Sequence, residues 1–401
     1  MAEMQNNKTI EEKSENKNFF NKRNIIIIIL TTLLSIGLLV LTVLFIIDMN
    51  WLKFFRDIGS GLTLQLGALW LVLLILFMAF SIAYNYLYIW IRLRRLGVKI
   101  QAWQYFTFAL SISFLKGVTP ANFIYDPYTV FWLKTQGVST SRATSIMFSN
   151  ALLWQIMELL IHIPSFIILM MRVDLLLSIP KGGGVALIVL MSLGILIDII
   201  GCLVMLLLCF SRRAHYVMSS IFNWFKKKLH MKYHTKAEIE EKYKNRATIK
   251  KEVIEYYKNW TDTLVIILIL VVYEMSVYFA LSSALALINA DQKFSFDVMA
   301  VYHSANMAFN ANRLNIIPSF GVGLEASLLA MLRVLGGIND SNFALAATQS
   351  DEFISEGIFL WRTFYTYFPA LFGLCGFAGL TVYHVRSYRQ KKGSFVESKY
   401  E

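Results

Sequence analysis

Charge is what this 401-residue chain has little of. Asp, Glu, Lys and Arg make up 16% of it, against 57% hydrophobic residues. A soluble protein carries about a quarter charged residues, so a wholly water-exposed exterior is excluded. Proline is scarce too, six in all, which leaves long stretches free to remain helical. The three cysteines, Cys202, Cys209 and Cys375, fall inside apolar runs. They form neither a disulfide framework nor a metal-ligand spacing and are expected to be small buried hydrophobes. No G-x-x-x-x-G-K-[ST] stretch occurs, which excludes nucleotide hydrolysis by a phosphate loop. The "GGG" at 182–184 lacks the lysine and reads as a turn outside the membrane. No nucleophile–base or metal constellation appears, so no enzyme activity, metal or cofactor is expected.

What the chain does have is length without charge. Residues 25–47, "IIIIILTTLLSIGLLVLTVLFII", exceed the roughly 20 residues that a helix needs to cross a bilayer. This run is too long for a signal-peptide core and has no clear small-residue cleavage site, so it is expected to stay as a span. Similar spans are expected at 65–91, 145–171, 185–210, 263–288 and 354–384. A linker carrying Trp51, Phe54 and Phe55 is expected at the interface after the first. The predicted class is an all-α polytopic cell-membrane protein. Its net charge of +12 is read as cytoplasmic loop charge and not as a nucleic-acid footprint.

The basic blocks divide the chain into a disordered tail (1–23), a first membrane half (24–210), a basic loop (211–260), a second membrane half (261–385) and a tail (386–401). The loop carries thirteen Lys and Arg, and its alternating signs at helical spacing predict an exposed helix in part. It orients the chain and offers a surface for anionic lipid headgroups. With every basic block inside, both termini are cytoplasmic.

Two segments do not fit as plain spans. Residues 102–138 contain Pro120 and Pro127; residues 298–336 contain Pro318, Gly321 and Gly323. For the basic blocks to stay inside, the first segment must start and finish inside, and the second must start and finish outside. They also resemble each other. Pro120 precedes Asp126 by six residues and Pro318 precedes Glu325 by seven; eleven residues then lead to Gly137 and to Gly336. Lys116 and Arg313 stand before the prolines. A Trp and a later Pro follow in each half: Trp154 and Pro164, then Trp361 and Pro369. The expected architecture is about six full spans plus two Pro-broken re-entrant hairpins in an inverted-topology repeat, a plan that builds midplane sites from broken helices.

The candidate site residues follow from that plan. A broken helix frees N–H groups that can hold an anion, and Pro318, Gly321 and Gly323 would form such a break. Arg313 offers a planar fork to phosphate oxygens. Glu325 is costly in a membrane unless it is paired or watered. Lys116 and Asp126 are the counterparts in the first segment. Glu158 and His162, four apart on one helix face, form a candidate proton relay with Glu274; as a bland alternative they are a structural pair. Asp198 is another intramembrane carboxylate. Arg333 can snorkel to the interface.

"IPSFGVGLEASLLAMLRVLGG" followed by "WRTFYTYFPALFGL" resembles the flippase-like transmembrane domain of lysylphosphatidylglycerol synthases and its stand-alone relatives. Pro318, Gly321, Gly323, Glu325, Arg362 and Pro369 match that family's Pro-x-Pro-Gly-Gly-x-Gly-x-x-Glu pattern and the Arg of its final span. Phe320 departs from it. "FLKGVTPANFIYDPYTVFWLKTQGVSTSRATSIMF" matches more loosely, with Ile124, Tyr125 and Asp126 where the family tends to have Gly and Glu. The resemblance covers roughly 25–385. It implies handling of a membrane lipid and adds Arg362 to the candidate substrate-binding residues. No soluble aminoacyl-transferase part lies within these 401 residues, so synthesis of lysyl-lipid is not expected. The expected function is a lipid translocase that passes a phospholipid or glycolipid headgroup through a polar groove. The alternatives are an ion-coupled transporter of a small solute, or a membrane scaffold that docks through 211–260. An oligomer is compatible with the sequence.

Overall fold

The computed structural model describes Leu33 and residues 51–63, 66–118, 125–179, 182–228, 235, 249–289, 294–313, 322–335, 339–340 and 347–380. The expected first span at 25–47 (Leu33 apart), both tails, most of 229–248 and the stretches holding Pro120, Pro318 and Gly321 lie outside the described residues.

The elements in chain order are α1 (Trp51–Thr63), α2 (Gly67–Arg95), α3 (Ala102–Val118), α4 (Tyr125–Thr135), α5 (Thr140–Met170), the short α6 (Val173–Leu177), α7 (Gly183–Phe210) and α8 (Arg212–Lys228). A helical stretch at 249–258, α9, leads to α10 (Trp260–Ile288), α11 (Val298–Ala311), α12 (Val322–Leu335) and α13 (Ala347–Arg362). A π-helical turn, Thr363–Tyr367, continues α13 into a helical stretch described as far as 380. Two residue pairs, Phe294–Ser295 against Asn339–Asp340, form a minimal antiparallel bridge.

Among the described residues, five helices are long and apolar enough to cross a membrane: Gly67–Arg95, Thr140–Met170, Gly183–Leu207, Trp260–Ile288 and Asp351–Leu380. Their outward faces are apolar, as with Val189, Leu196 and Leu203 on α7. This is the architecture of a multi-pass helical membrane protein. The segments set apart by the sequence form shorter helices. α11 and α12 have 14 residues each, and α4 has 11; at 1.5 Å per residue these reach about 21 and 16 Å, short of a hydrocarbon core of roughly 30 Å.

Local chemistry fixes the ends. α2 and α4 each stop at a left-handed glycine, Gly97 (φ 69°) and Gly137 (φ 86°). Val98 N–H bonds Leu93 C=O, and Val138 N–H bonds Leu133 C=O, each closing a Schellman cap. Asp297 caps α11, its carboxylate accepting from the N–H groups of Met299 and Ala300 at 2.9 and 3.2 Å.

Packing relates the two halves. α2 lies against α3 as α10 lies against α11; α4 packs on α5 as α12 packs on α13; and α2 and α10 meet. α11 packs on α5, and α3 on the last helix. There a Cβ at Gly373 would overlap the Leu110 carbonyl and the Phe114 backbone, the close approach that small residues allow between membrane helices.

Three local expectations change. Residues 51–63 are a helix and not a linker, with Phe54 buried against Phe359 at 5.6 Å between ring centroids. Cys375 is exposed on the last helix, whereas Cys202 is buried as expected. The glycines at 182–184 start α7, with Gly182 at its N-cap (φ 73°).

Candidate functional site

A cavity of about 210 Å³ opens where α2, α3, α5, α10 and the end of α11 meet the last helix. Its depth is set by its walls. Ser81 is the fifteenth residue of 29 in α2, and Glu274 the fifteenth of 29 in α10. Charged side chains converge on it from distant parts of the chain: Lys116, Glu158, His162, Glu274, Arg313 and Arg362. Six of the residues singled out from sequence thus share one space.

Arg313 follows the last turn of α11. One guanidinium nitrogen meets Glu158 of α5, and its Nε lies 3.1 Å from Asp198 Oδ1 of α7. Asp198 is the hub of this group. It also meets His162 Nδ1 at 2.8 Å, accepts from Gln155 at 3.1 Å and accepts from Asn310 at 3.1 Å. Arg313 is therefore neutralised twice over and does not present an unopposed charge to an anion, as its sequence position suggested.

The seam between α5 and α11 extends this network. Gln155, Glu158, His162 and Ser165 share one face of α5; His303, Asn306 and Asn310 share one face of α11, and Arg313 in the turn just beyond it continues the same spacing. The helices run antiparallel. His303 meets Ser165 at 2.9 Å, Asn306 donates to Ser165 at 3.0 Å, and Asn310 lies 3.3 Å from His162. Each interhelical bond of this kind contributes about 0.6 kcal/mol in a membrane protein, so the row as a whole fixes the register of α11. Gly194 of α7 completes it, because a Cβ there would overlap Asn310 backbone and side-chain oxygens.

Glu325 does not line the cavity. It stands in the first turn of α12, 5% exposed, with Oε1 2.8 Å from Arg362 Nε, and Arg362 is 1% exposed. Arg362 reaches the cavity from the residue before the π-helical turn, and its Nη1 donates to Thr366 at 3.0 Å. The wider π turn brings Tyr365 and Thr366 to the same wall; such turns occur often at functional sites. Gly323 falls in the first turn of α12.

Lys116 lies 4.7 Å from the Trp154 ring centroid and 5.8 Å from that of Tyr273, a cation held over aromatic faces. Asp126, in the first turn of α4, lies beside a side cavity of about 20 Å³ that Lys116 and Trp154 also line. Glu274 shares the main cavity and makes no ion pair within 4 Å among the described residues. Arg333 lies away from it and forms a two-pronged pair with Asp351. Among the described residues no group of three or more His, Cys, Asp or Glu is placed to hold a metal ion.

Sequence reasoning found Glu158, His162, Asp198 and Arg313 and missed Gln155, Ser165, His303, Asn306 and Asn310. The signal was the repeated spacing on the two helices, visible only once both faces are compared.

The fold and this cavity define a multi-pass helical membrane protein with a charged pocket at the midpoints of its long helices. Two mycoplasma proteins are similar over most of their length. One, the uncharacterized protein MG306 homolog of Mycoplasma pneumoniae, is 23% identical over 329 residues, 80% of each chain. The other, uncharacterized protein MG306 of Mycoplasma genitalium, is 25% identical over 283 residues, 68% of each. No family model matches the chain, and no solved structure matches it.

Proposed function

We propose that this protein moves the polar headgroup of a membrane lipid from one leaflet to the other, with the acyl chains remaining in the bilayer. The observation that carries the reading is the convergence of Lys116 from the first broken segment and Arg313 from the second on one charged cavity, at the midpoints of α2 and α10. On this reading α3–α4 and α11–α12 are re-entrant hairpins that enter from opposite faces, and the matching contacts of the two halves are those of an inverted repeat. A lone headgroup must cross roughly 30 Å of hydrocarbon. The cavity replaces its water with fixed charges and hydroxyls, and offers both signs. The resemblance to the flippase-like domain of lysylphosphatidylglycerol synthases supports the same class of cargo. The protein lies in the cell membrane with both termini in the cytoplasm, and its basic loop faces anionic headgroups there.

Volume favours a headgroup over a whole lipid, since about 210 Å³ is below the roughly 300–1,000 Å³ of pockets that enclose drug-sized ligands. The same volume favours the second reading, transport of a small polar solute. Purified protein in liposomes separates them. Exchange of headgroup-labelled anionic, zwitterionic and sugar lipids between leaflets should accelerate over empty vesicles. Lys116→Met and Glu274→Gln should slow it while leaving the protein monodisperse. Equal rates in loaded and empty vesicles for all three headgroups, with and without a proton gradient, would refute translocation.

A further inference from the structure

A second, apolar cleft lies between α2 and α10, on the α1 side of the charged cavity. Its volume is about 470 Å³, and its walls include Trp70, Leu73 and Phe77 of α2, and Phe279, Ser282 and Ala286 of α10. Phe279 is held by stacking on Tyr302 at 4.8 Å. The cleft adjoins the charged cavity along both helices. Phe77 precedes the cavity residue Ser81 by four positions, and Ser282 follows the cavity residue Tyr278 by four, a rise of about 6 Å in each helix.

One group does not suit an apolar cleft. Ser282 is 6% exposed, and its Oγ has no hydrogen-bond partner among the described residues. A buried hydroxyl without a partner is disfavoured, and it marks a place where a ligand can supply an acceptor. The required ligand is long, apolar and bears an acceptor near one end. That describes the ester-linked acyl chain of a membrane lipid. Beside the cleft, the outward residues Leu69, Val72 and Leu76 of α2 are apolar and exposed, as is Val298 on its rim, so a chain can enter from the hydrocarbon without passing through water.

We infer that the α2–α10 cleft is an acyl-chain subsite, with the Ser282 hydroxyl donating to the ester carbonyl of a lipid whose headgroup occupies the charged cavity. As the tail subsite of that lipid, it rests on the translocation reading. It also explains how a headgroup-sized cavity could select a lipid over a free solute of the same charge.

The test uses the full chain in phosphatidylglycerol–phosphatidylcholine nanodiscs doped with a diacyl phosphatidylcholine that carries a mid-chain diazirine. After photolysis, labelled peptides should concentrate several-fold on 70–77 and 279–286 over the outward face of α7, and Ala286→Trp should remove that excess. Unlabelled diacyl lipid should compete better than its dialkyl ether analogue by about two- to tenfold, the range of one hydrogen bond; Ser282→Ala should abolish the difference. Equal labelling of the cleft and α7 in the unmodified protein would overturn the subsite. So would residues 25–47 cross-linking into the cleft in the lipid's place. Equal competition by ester and ether lipids would overturn the role of Ser282. Concentrated labelling without leaflet exchange in liposomes would instead refute translocation and leave the subsite standing.

Discussion

Glu325→Gln tests whether the conspicuous acid of the second broken segment holds the fold or serves the cargo. Its carboxylate contacts Arg362 at 2.8 Å, and both residues are more than nine-tenths buried. Removing one member of a buried ion pair strands the other charge and typically costs 3–5 kcal/mol. Arg362 keeps its bond to Thr366 and a place near the Tyr367 ring, and a Gln carbonyl can still accept one bond. The expected loss is therefore at the low end, about 3 kcal/mol. Thermal unfolding of the purified protein in a single detergent should show a clear fall in Tm. The double variant Glu325→Gln with Arg362→Gln removes both charges and should recover much of it. A cycle over the two singles and the double should give a coupling well above the roughly 0.5 kcal/mol scatter of independent sites. If Glu325→Gln unfolds like the unmodified protein but fails in leaflet exchange, the ion-pair reasoning is wrong and Glu325 meets the cargo directly.

Two further outcomes follow from the geometry. Gly194→Ala would push Asn310 away from α7; overpacking of this kind costs about 1–3 kcal/mol, and unfolding in detergent should register it, whereas Gly379→Ala, where a Cβ meets open space, should not. In a cysteine-free background, Ser178→Cys should react with an impermeant thiol reagent from outside and Ser220→Cys only after permeabilisation; labelling of both from the same side would overturn the proposed orientation.

Five of the expected spans were legible because a run without charge leaves few alternatives in a chain this apolar. Their ends were not. α2 continues to Arg95, beyond the expected end at 91, because helical backbone does not stop where side chains begin to reach water. Arg95 there pairs with Asp262 at the start of α10, a contact that no local window contains. Residues 51–63 read as a linker for a different reason. The apolar residues Trp51, Phe54, Phe55, Ile58 and Leu62 of α1 recur at helical spacing, a signal that a search for long apolar runs passes over, and tertiary packing holds the helix, with Phe54 against Phe359 and Lys53 paired to Glu352 at 2.6 Å. The glycine stops at 97 and 137 have clear local causes, in contrast.

The site was legible one charge at a time. Ionisable residues inside apolar helices stand out because they are costly there, and Glu158, His162, Glu274, Arg313 and Arg362 all reach the cavity. Which charge meets which is a different kind of information. Asn310 and Asp198 are 112 residues apart, and nothing in either neighbourhood names the other. The pairing changes the chemistry. Arg313 read alone is an anion site; between Glu158 and Asp198 it is the keystone of a packed network, and a purely anionic headgroup would have to displace a carboxylate to reach it. Counting the cavity and its direct partners, Lys116, Arg313 and Arg362 face Glu158, Asp198, Glu274 and Glu325. Three cations against four carboxylates do not make an anion trap. Arg362 is matched by Glu325 and Arg313 by the α5–α7 pair, while Lys116, over its aromatic rings, and Glu274 line the same cavity. On the translocation reading, a headgroup that carries both signs, or neither, enters without breaking the network that positions α11, and for that reason also leaves.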